Sequence, residues 1–245
     1  YRIYGELINT YGYDVPQGRK SFQALNYYTG EEITIPLDPQ IPVQENATKY
    51  FDKYGKLKRT FEAVTALLKE TDEEIQHLRS IQTALDIALQ EEDLTQIREE
   101  LMESGYIRKR PSGSKRPKIT SKPFHYISSD GFHMYVGKNN IQNEKLTFQL
   151  ANGKDLWFHA KEMPGSHVIV KLEGAEDVPD ETYEQAARLA AYYSSGKTNP
   201  KVEVDYTRKG NLKKPPKSAP GYVIYHTNYS MVAIPDIHDI EEVRE

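Results

Sequence analysis

The sequence runs to 245 residues, enough for one large or two small domains, with 38% hydrophobic and 28% charged residues and a formal net charge of -4. That balance argues against a uniformly basic nucleic-acid binder, but it averages opposed segments: residues 70–103 are strongly acidic, while residues 105–122 hold seven basic residues and no acid. The lack of cysteine excludes a disulfide scaffold and a thiolate metal site, and no apolar run approaches the length of a membrane span.

The chain starts at Tyr1, without methionine or a signal-like apolar stretch, and residues 1–8 read as the end of a helix. The expectation is a C-terminal part of a longer protein. Residues 22–28 and 32–35, separated by Thr29-Gly30, predict a small hairpin. Its tyrosines suit the core of a compact cap or a partner-binding patch. Asn46 is the expected N-cap of the next helix. From Tyr50, the positions Tyr54, Leu57, Phe61, Val64, Leu68, Thr71, Ile75, Leu78, Gln82, Leu85 and Leu89 step alternately by four and three, and ten of the twelve are apolar or aromatic. This is coiled-coil periodicity. At ~1.5 Å per residue the helix would extend roughly 60 Å. Its seam needs a second helix. Within the chain only residues 1–8 and a short helix over 93–104 are available, so the missing strand is expected upstream of Tyr1, and the unpaired helix is expected to self-associate.

Gly105 ends the short helix, and a linker with the basic run Arg108-Lys109-Arg110 follows, rich in Pro, Gly and Ser. It suits a solvated hinge or a phosphate contact equally. Residues 124–128 and 132–136 alternate around the turn Ser129-Asp130-Gly131, and residues 137–144 read as a polar loop with exposed amides. Trp157 and His159 alternate with Phe158 and Ala160, as in a strand with one buried face, and Pro164-Gly165 turns the chain into the β-branched run 168–170. This groups His159, Lys161, Ser166 and His167 as a polar, partly cationic rim beside an aromatic platform. Two readings compete: core aromatics with histidines capping a turn, or a binding surface. A metal site is disfavoured, since His159 and His167 lack a third ligand at familiar spacing, although Asp155 or Glu162 could contribute. A Ser166–His167 nucleophile pair is disfavoured too, because neighbours on a strand face opposite ways. A helix from Asp180 or Thr182 to Tyr193 follows, then strands at 202–206, 222–225 and 230–234, the last two pairing across Thr227-Asn228. Between the first two of these strands lies a second basic loop containing Lys213 and Lys214. The tail, residues 236–245, is acidic and expected to be ordered only in part.

The fold class is therefore α+β: a long coiled-coil helical arm with a small β-hairpin cap, then a compact α+β domain. The expected divisions are 1–104, a basic linker 105–122, a domain 123–235 and a tail 236–245.

Asp130-Gly131, Val136-Gly137-Lys138-Asn139-Asn140, Gln142-Asn143, Asp155-Leu156-Trp157-Phe158-His159-Ala160-Lys161 and Pro164-Gly165-Ser166-His167-Val168 resemble the signature of the NFACT-R domain. Tyr4-Gly5-Glu6-Leu7, Asn46-Ala47 and Lys53-Tyr54-Gly55-Lys56-Leu57-Lys58 are similar to the middle, coiled-coil region of the NFACT family. The resemblance covers nearly the whole chain. It implies a cytoplasmic ribosome-quality-control factor that binds the obstructed large ribosomal subunit, its rRNA and tRNA, and supports alanine tailing without mRNA. It also implies that tRNA-recognition residues lie in an N-terminal domain not included here. Lys138 stands where arginine is common, which forfeits bidentate phosphate geometry, and Glu144 where aspartate is common. The family's other history is adhesion at the cell surface, binding fibronectin or fibrinogen, and this is the second reading. A hydrolytic enzyme comes third. No catalytic residue, metal ligand or cofactor is assigned. The expected RNA contacts are Lys138, Asn139, Asn140 and Asn143 in the polar loop, His159, Lys161 and His167 on the rim, and Lys213 and Lys214 in the basic loop. Trp157 is assigned to the core.

Overall fold

A computed structural model describes residues 1–109, 111, 113 and 121–243. Within the expected basic linker, residues 110, 112 and 114–120 lie outside the described residues. The chain divides into two compact units, Tyr1–Glu73 and Glu74–Glu245.

The first unit contains α1 (Arg2–Tyr11), the antiparallel hairpin β1 (Ser21–Asn26) and β2 (Glu31–Pro36), and the opening turns of α2 (Val43–Ile87). The hairpin turns where expected, with the N–H groups of Thr29 and Gly30 both donating to the Asn26 carbonyl. Leu7, Ile8, Ala24, Ile35, Val43 and Ala47 form its small core. Asn46 is not the helix cap, because α2 has already begun at Val43. Its amide instead accepts from the Asp38 N–H at 2.7 Å and donates to the Asp38 and Pro42 carbonyls, tying the incoming loop to the first helical turn. Along α2 the predicted seam is open: Leu57, Phe61, Val64, Leu68, Ile75, Leu78 and Leu85 are exposed, Phe61 to 71%.

In the second unit the end of α2 packs through Ile81 and Ala84, beside that stripe, against Ile97 of α3 (Glu91–Glu103). A reciprocal capping box between Gln90 and Asp93 starts α3. The rest is one antiparallel sheet of order β8-β7-β5-β6-β4-β3-β9. Its strands are β3 (Phe124–Ile127), β4 (His133–Val136), β5 (Leu156–Ala160), β6 (Val168–Val170), β7 (Val202–Arg208), β8 (Tyr229–Ala233) and β9 (Glu241–Glu242). Between β4 and β5 lie α4 (Asn140–Lys145) and a π-helical turn, Leu146–Leu150; α5 (Asp180–Tyr192) joins β6 to β7. Ala186, Ala187, Leu189, Ala190 and Ala191 of α5 are small enough to lie close on the sheet, over Phe158, Val168, Val170, Met134 and Val204.

Two further expectations are corrected, both in the sheet domain. The strand carrying Trp157 has two buried faces, not one: Phe158 lies under α5, while Trp157 and Ile169 lie under Leu146, Ala151 and Leu212, with Val223 and Tyr225 packed beside them. Residues 222–225 form no strand. Ile224 makes a single bridge back to Lys213, so residues 212–225 fold as a flap over Trp157, and β8 pairs with β7. The acidic tail contributes an edge strand, Glu241 and Glu242 pairing with Ile127 and Tyr126.

Candidate nucleic-acid interface

The polar stretch 137–143 turns inward. Asn139 caps α4, accepting from the Gln142 N–H at 3.0 Å, and its amide donates to Gln96 of α3 at 2.9 Å. Asn140 donates to Glu100 at 2.7 Å and to Ser80 at 2.8 Å. Asn143 accepts from the His167 N–H at 3.0 Å and donates to the Gly165 carbonyl. Gly137 must be glycine, because a Cβ there would collide with Asn143 Oδ1 and its backbone nitrogen. Lys138 is half-buried, its ammonium 3.3 Å from Asp93 and 4.6 Å from the centre of the Phe124 ring. Burial works against the Asp93 charge, but the Ser121 hydroxyl, the Leu89 N–H and Lys138 together hold the carboxyl below the usual carboxylate range. His77 completes the joint, with 3.0 Å to Glu100 and 3.2 Å to the Tyr106 hydroxyl. The expected exposed amides are thus the fastening between the sheet and α3, all within one unit. A buried polar group left unpaired costs more than the bond returns, and this joint satisfies nearly all of its members; Glu100 Oε2 is the exception.

The rim is assembled but is not cationic. His159 and His167 meet edge to face at 5.4 Å, and Trp157 stacks on the first and edges the second. Burial pushes His159 down to about 4, with its Gly165 backbone partner working the other way. Burial and the neighbouring His159 hold His167 well below the ordinary value, and its Nδ1 lies 2.7 Å from the Thr147 hydroxyl. Both rings are neutral at pH 7. Ser166 is buried and donates to the Gly137 carbonyl, away from the imidazoles. Lys161 is half-buried, with its ammonium 2.6 Å from the Glu203 carboxylate. Asp155 is held by Lys171, by the Asn152 N–H and by the Leu172 N–H, so it is no metal ligand in this arrangement, and among the described residues no cluster of three or more His, Cys, Asp or Glu forms a metal site. Trp157 is core, 1% exposed, as expected.

The basic loop faces outward. Lys213 is exposed and anchored only through its backbone pairing with Ile224; Lys214 reaches Glu144 at 2.6 Å. The loop is held against the segment running from α4 into β5: Gly210 N–H donates to the Gly153 carbonyl, Arg208 to the Lys154 carbonyl, and Lys209 lies 5.9 Å above the Phe148 ring. This adds Lys145, Lys154 and Lys209 to Lys213 and Lys214 on the Trp157 side of the sheet. Lys209 lies in the basic loop read from the sequence; Lys145 and Lys154 were missed. These two come from separate segments, and the 2.9 Å bond of Gly210 to Gly153, the 2.8 Å bond of Arg208 to Lys154 and the Lys214–Glu144 pair bring them to the loop. A rigid group of lysines on a solvated face can follow a phosphate backbone.

Comparison with known proteins gives a consistent result. The model of the NFACT N-terminal and middle domains matches residues 1–120, and that of the NFACT protein RNA binding domain matches residues 122–226. The Rqc2 homolog RqcH of Streptococcus pneumoniae serotype 2 is 40% identical across 100% of this chain and 44% of its own length. RqcH of Bacillus subtilis is 36% identical across 100% of this chain and 43% of its own. The solved C-terminal part of the fibronectin/fibrinogen-binding protein FBPS from Streptococcus suis is similar with a TM-score of 0.72 and 41% identity, over 78% of this chain and 76% of that one. The chain spans less than half the length of these curated relatives.

Proposed function

This chain belongs to the NFACT family, and from that premise we propose that it is the RNA-holding part of a ribosome-quality-control factor, contacting rRNA of an obstructed large subunit and its tRNA. The observation that carries the reading is the lysine-bearing face formed by residues 145, 154, 209, 213 and 214, in a domain whose sequence matches an RNA-binding model. Lysines fixed on a rigid loop hold phosphates without reading bases, which suits attachment to structured RNA. The part acts by binding, with no chemistry of its own, in the cytoplasm. Alanine tailing without mRNA belongs in this proposal to the whole factor, of which this chain matches less than half. The open stripe of α2 pairs with a second helix, and with another copy of this chain when no other is at hand; light scattering that stays monomeric at high concentration would count against that.

The test is co-sedimentation with large ribosomal subunits across a salt series. Binding should weaken linearly in log K against log salt. No co-sedimentation at low salt overturns the reading. A second reading, adhesion to fibronectin or fibrinogen, is supported by the name of the structural neighbour from Streptococcus suis. Titration of fibronectin fragments tests it, with saturable binding as the result it needs.

A further inference from the structure

The turn before β5, residues 152–155, contains Asn152-Gly153, the one place in the sequence where glycine follows asparagine. Asn152, Gly153 and Lys154 are exposed. The turn closes through the Asp155 N–H on the Asn152 carbonyl at 3.0 Å, and its other carbonyls accept from the basic loop: Gly153 from the Gly210 N–H at 2.9 Å, Lys154 from Arg208 at 2.8 Å and Asp155 from the Lys209 N–H at 2.8 Å. The Asp155 carboxylate takes the Asn152 N–H at 2.7 Å. Among the described residues, neither the Gly153 N–H nor the Asn152 side-chain amide has a hydrogen-bond partner, and the space around Gly153 where a Cβ would stand is open to 4 Å. A free backbone nitrogen thus follows an unheld, solvated amide, inside the turn that fastens the lysine-bearing loop.

We propose that Asn152 is a site of spontaneous deamidation, and that the acid it becomes loosens the hold of the lysine-bearing face on RNA. The Gly153 nitrogen, on giving up its proton, bonds to Asn152 Cγ; the Cγ–Nδ2 bond breaks, and ammonia leaves carrying that proton. Water then opens the five-membered imide. Attack at Cγ leaves aspartate in an unaltered chain, whereas attack at the main-chain carbonyl leaves isoaspartate, whose backbone runs through the former side chain and is one carbon longer. Glycine permits the ring to close, because a side chain at 153 would hinder the turn of the peptide towards Cγ. Every other asparagine is followed by a residue with a side chain or by proline. Either product sets a carboxylate two residues from Lys154, in the turn bonded to Lys209 and Gly210, where it competes with phosphate for those ammonium groups. The longer isoaspartyl backbone also shifts the Gly153 carbonyl from the Gly210 bond. The chemistry stands by itself; its consequence rests on the RNA-binding reading above.

The test ages the full chain in mildly alkaline buffer. Trypsin then releases the peptide 146–154, bounded by Lys145 and Lys154, and mass spectrometry should find it converting to two chromatographically distinct species of acid mass before any other asparagine changes. Gly153→Ala, which the open space admits, should slow the conversion severalfold. Over the same interval, affinity for a labelled duplex RNA at low salt should fall by about fivefold and the salt slope should drop by about one, and freshly made Asn152→Asp should match the aged chain. The Gly153→Ala chain should keep its own starting affinity throughout. An Asn152 that stays an amide through the incubation overturns the modification. Complete conversion with unchanged RNA affinity, or Asn152→Asp that binds as the fresh chain does, overturns its effect while leaving the lysine-face reading standing. Absence of RNA binding by the fresh chain overturns the lysine-face reading and the regulatory effect with it, and the peptide assay then decides the chemistry alone.

Discussion

Residues 137–143 and residues 208–214 are similar as text: short, polar, lysine-bearing, each between elements that bury their apolar side chains. In the fold they serve opposite directions. The first places its amides against Gln96, Glu100 and Ser80, and its lysine against the Phe124 ring. The second is fixed by backbone bonds and by Arg208 and Lys214, and leaves Lys213 in solvent. Loop polarity alone does not separate an interface from a joint. What separates them is whether another element has unsatisfied partners waiting, as α3 does for the first stretch, and no run of composition announces that.

Four experiments press on this contrast, the largest effect first. Trp157→Ala removes the ring on which Leu212 and Tyr225 seat the outward loop, and should cost about 3–5 kcal/mol of stability. Denaturant melts measure it; a loss below about 1 kcal/mol would mean the flap does not depend on the indole. Asn140→Ala leaves the buried Glu100 without its amide partner and should cost about 2–3 kcal/mol, with the salt slope of RNA binding unchanged. A changed slope with intact stability would turn the joint back into an interface.

Acidification comes next. His159 and His167 are neutral in the fold, while in the unfolded chain each takes up a proton near 6.5. The unfolded state therefore binds more protons from that value down to about 4, and stability falls as pH drops through this window, by about 1.4 kcal/mol per pH unit for each group. His159→Gln should flatten the pH dependence of the melting temperature. The smallest effect on folding is expected from Lys213→Ala with Lys214→Ala, under about 0.5 kcal/mol, since Lys214 gives up only a partly exposed pair with Glu144. The same double variant should reduce the salt slope of RNA binding by about one for each phosphate that is no longer neutralised. An unaltered slope removes the lysine face from the interface.

Local pattern carried much of the fold. The hairpin over residues 124–136, the strands on either side of Pro164-Gly165, α5 and the apolar stripe of α2 all follow from periods of two and of three to four with turn residues between them. The failures share one cause. Alternation along β5 marks two faces but does not say that both are covered, because the second cover, residues 212–225, lies more than fifty positions away. Intervening chain likewise hid the pairing of β8 with β7, where the nearer partner 222–225 is taken up by the flap. In the candidate site, His159, His167 and Trp157 were legible as a cluster, but their protonation was not, since it is set by burial. Lys209 was legible as part of the basic loop, but Lys145 and Lys154 carried no local signal, and their grouping with it follows from the bonds of Gly210 and Arg208 and the Lys214–Glu144 pair.

The sequence contains a single tryptophan, and the fold sets it against two imidazoles and beneath the flap. That makes the molecule its own optical gauge. Emission from Trp157 should be blue, as for an indole shut away from water, and should redden when the flap lifts. An imidazolium quenches a neighbouring excited indole far more strongly than a neutral ring does. Dimming without a red shift on mild acidification would therefore report proton uptake by His159 in a closed structure, and reddening would report the flap opening first. One untagged fluorescence channel thus distinguishes two events that a melting curve merges.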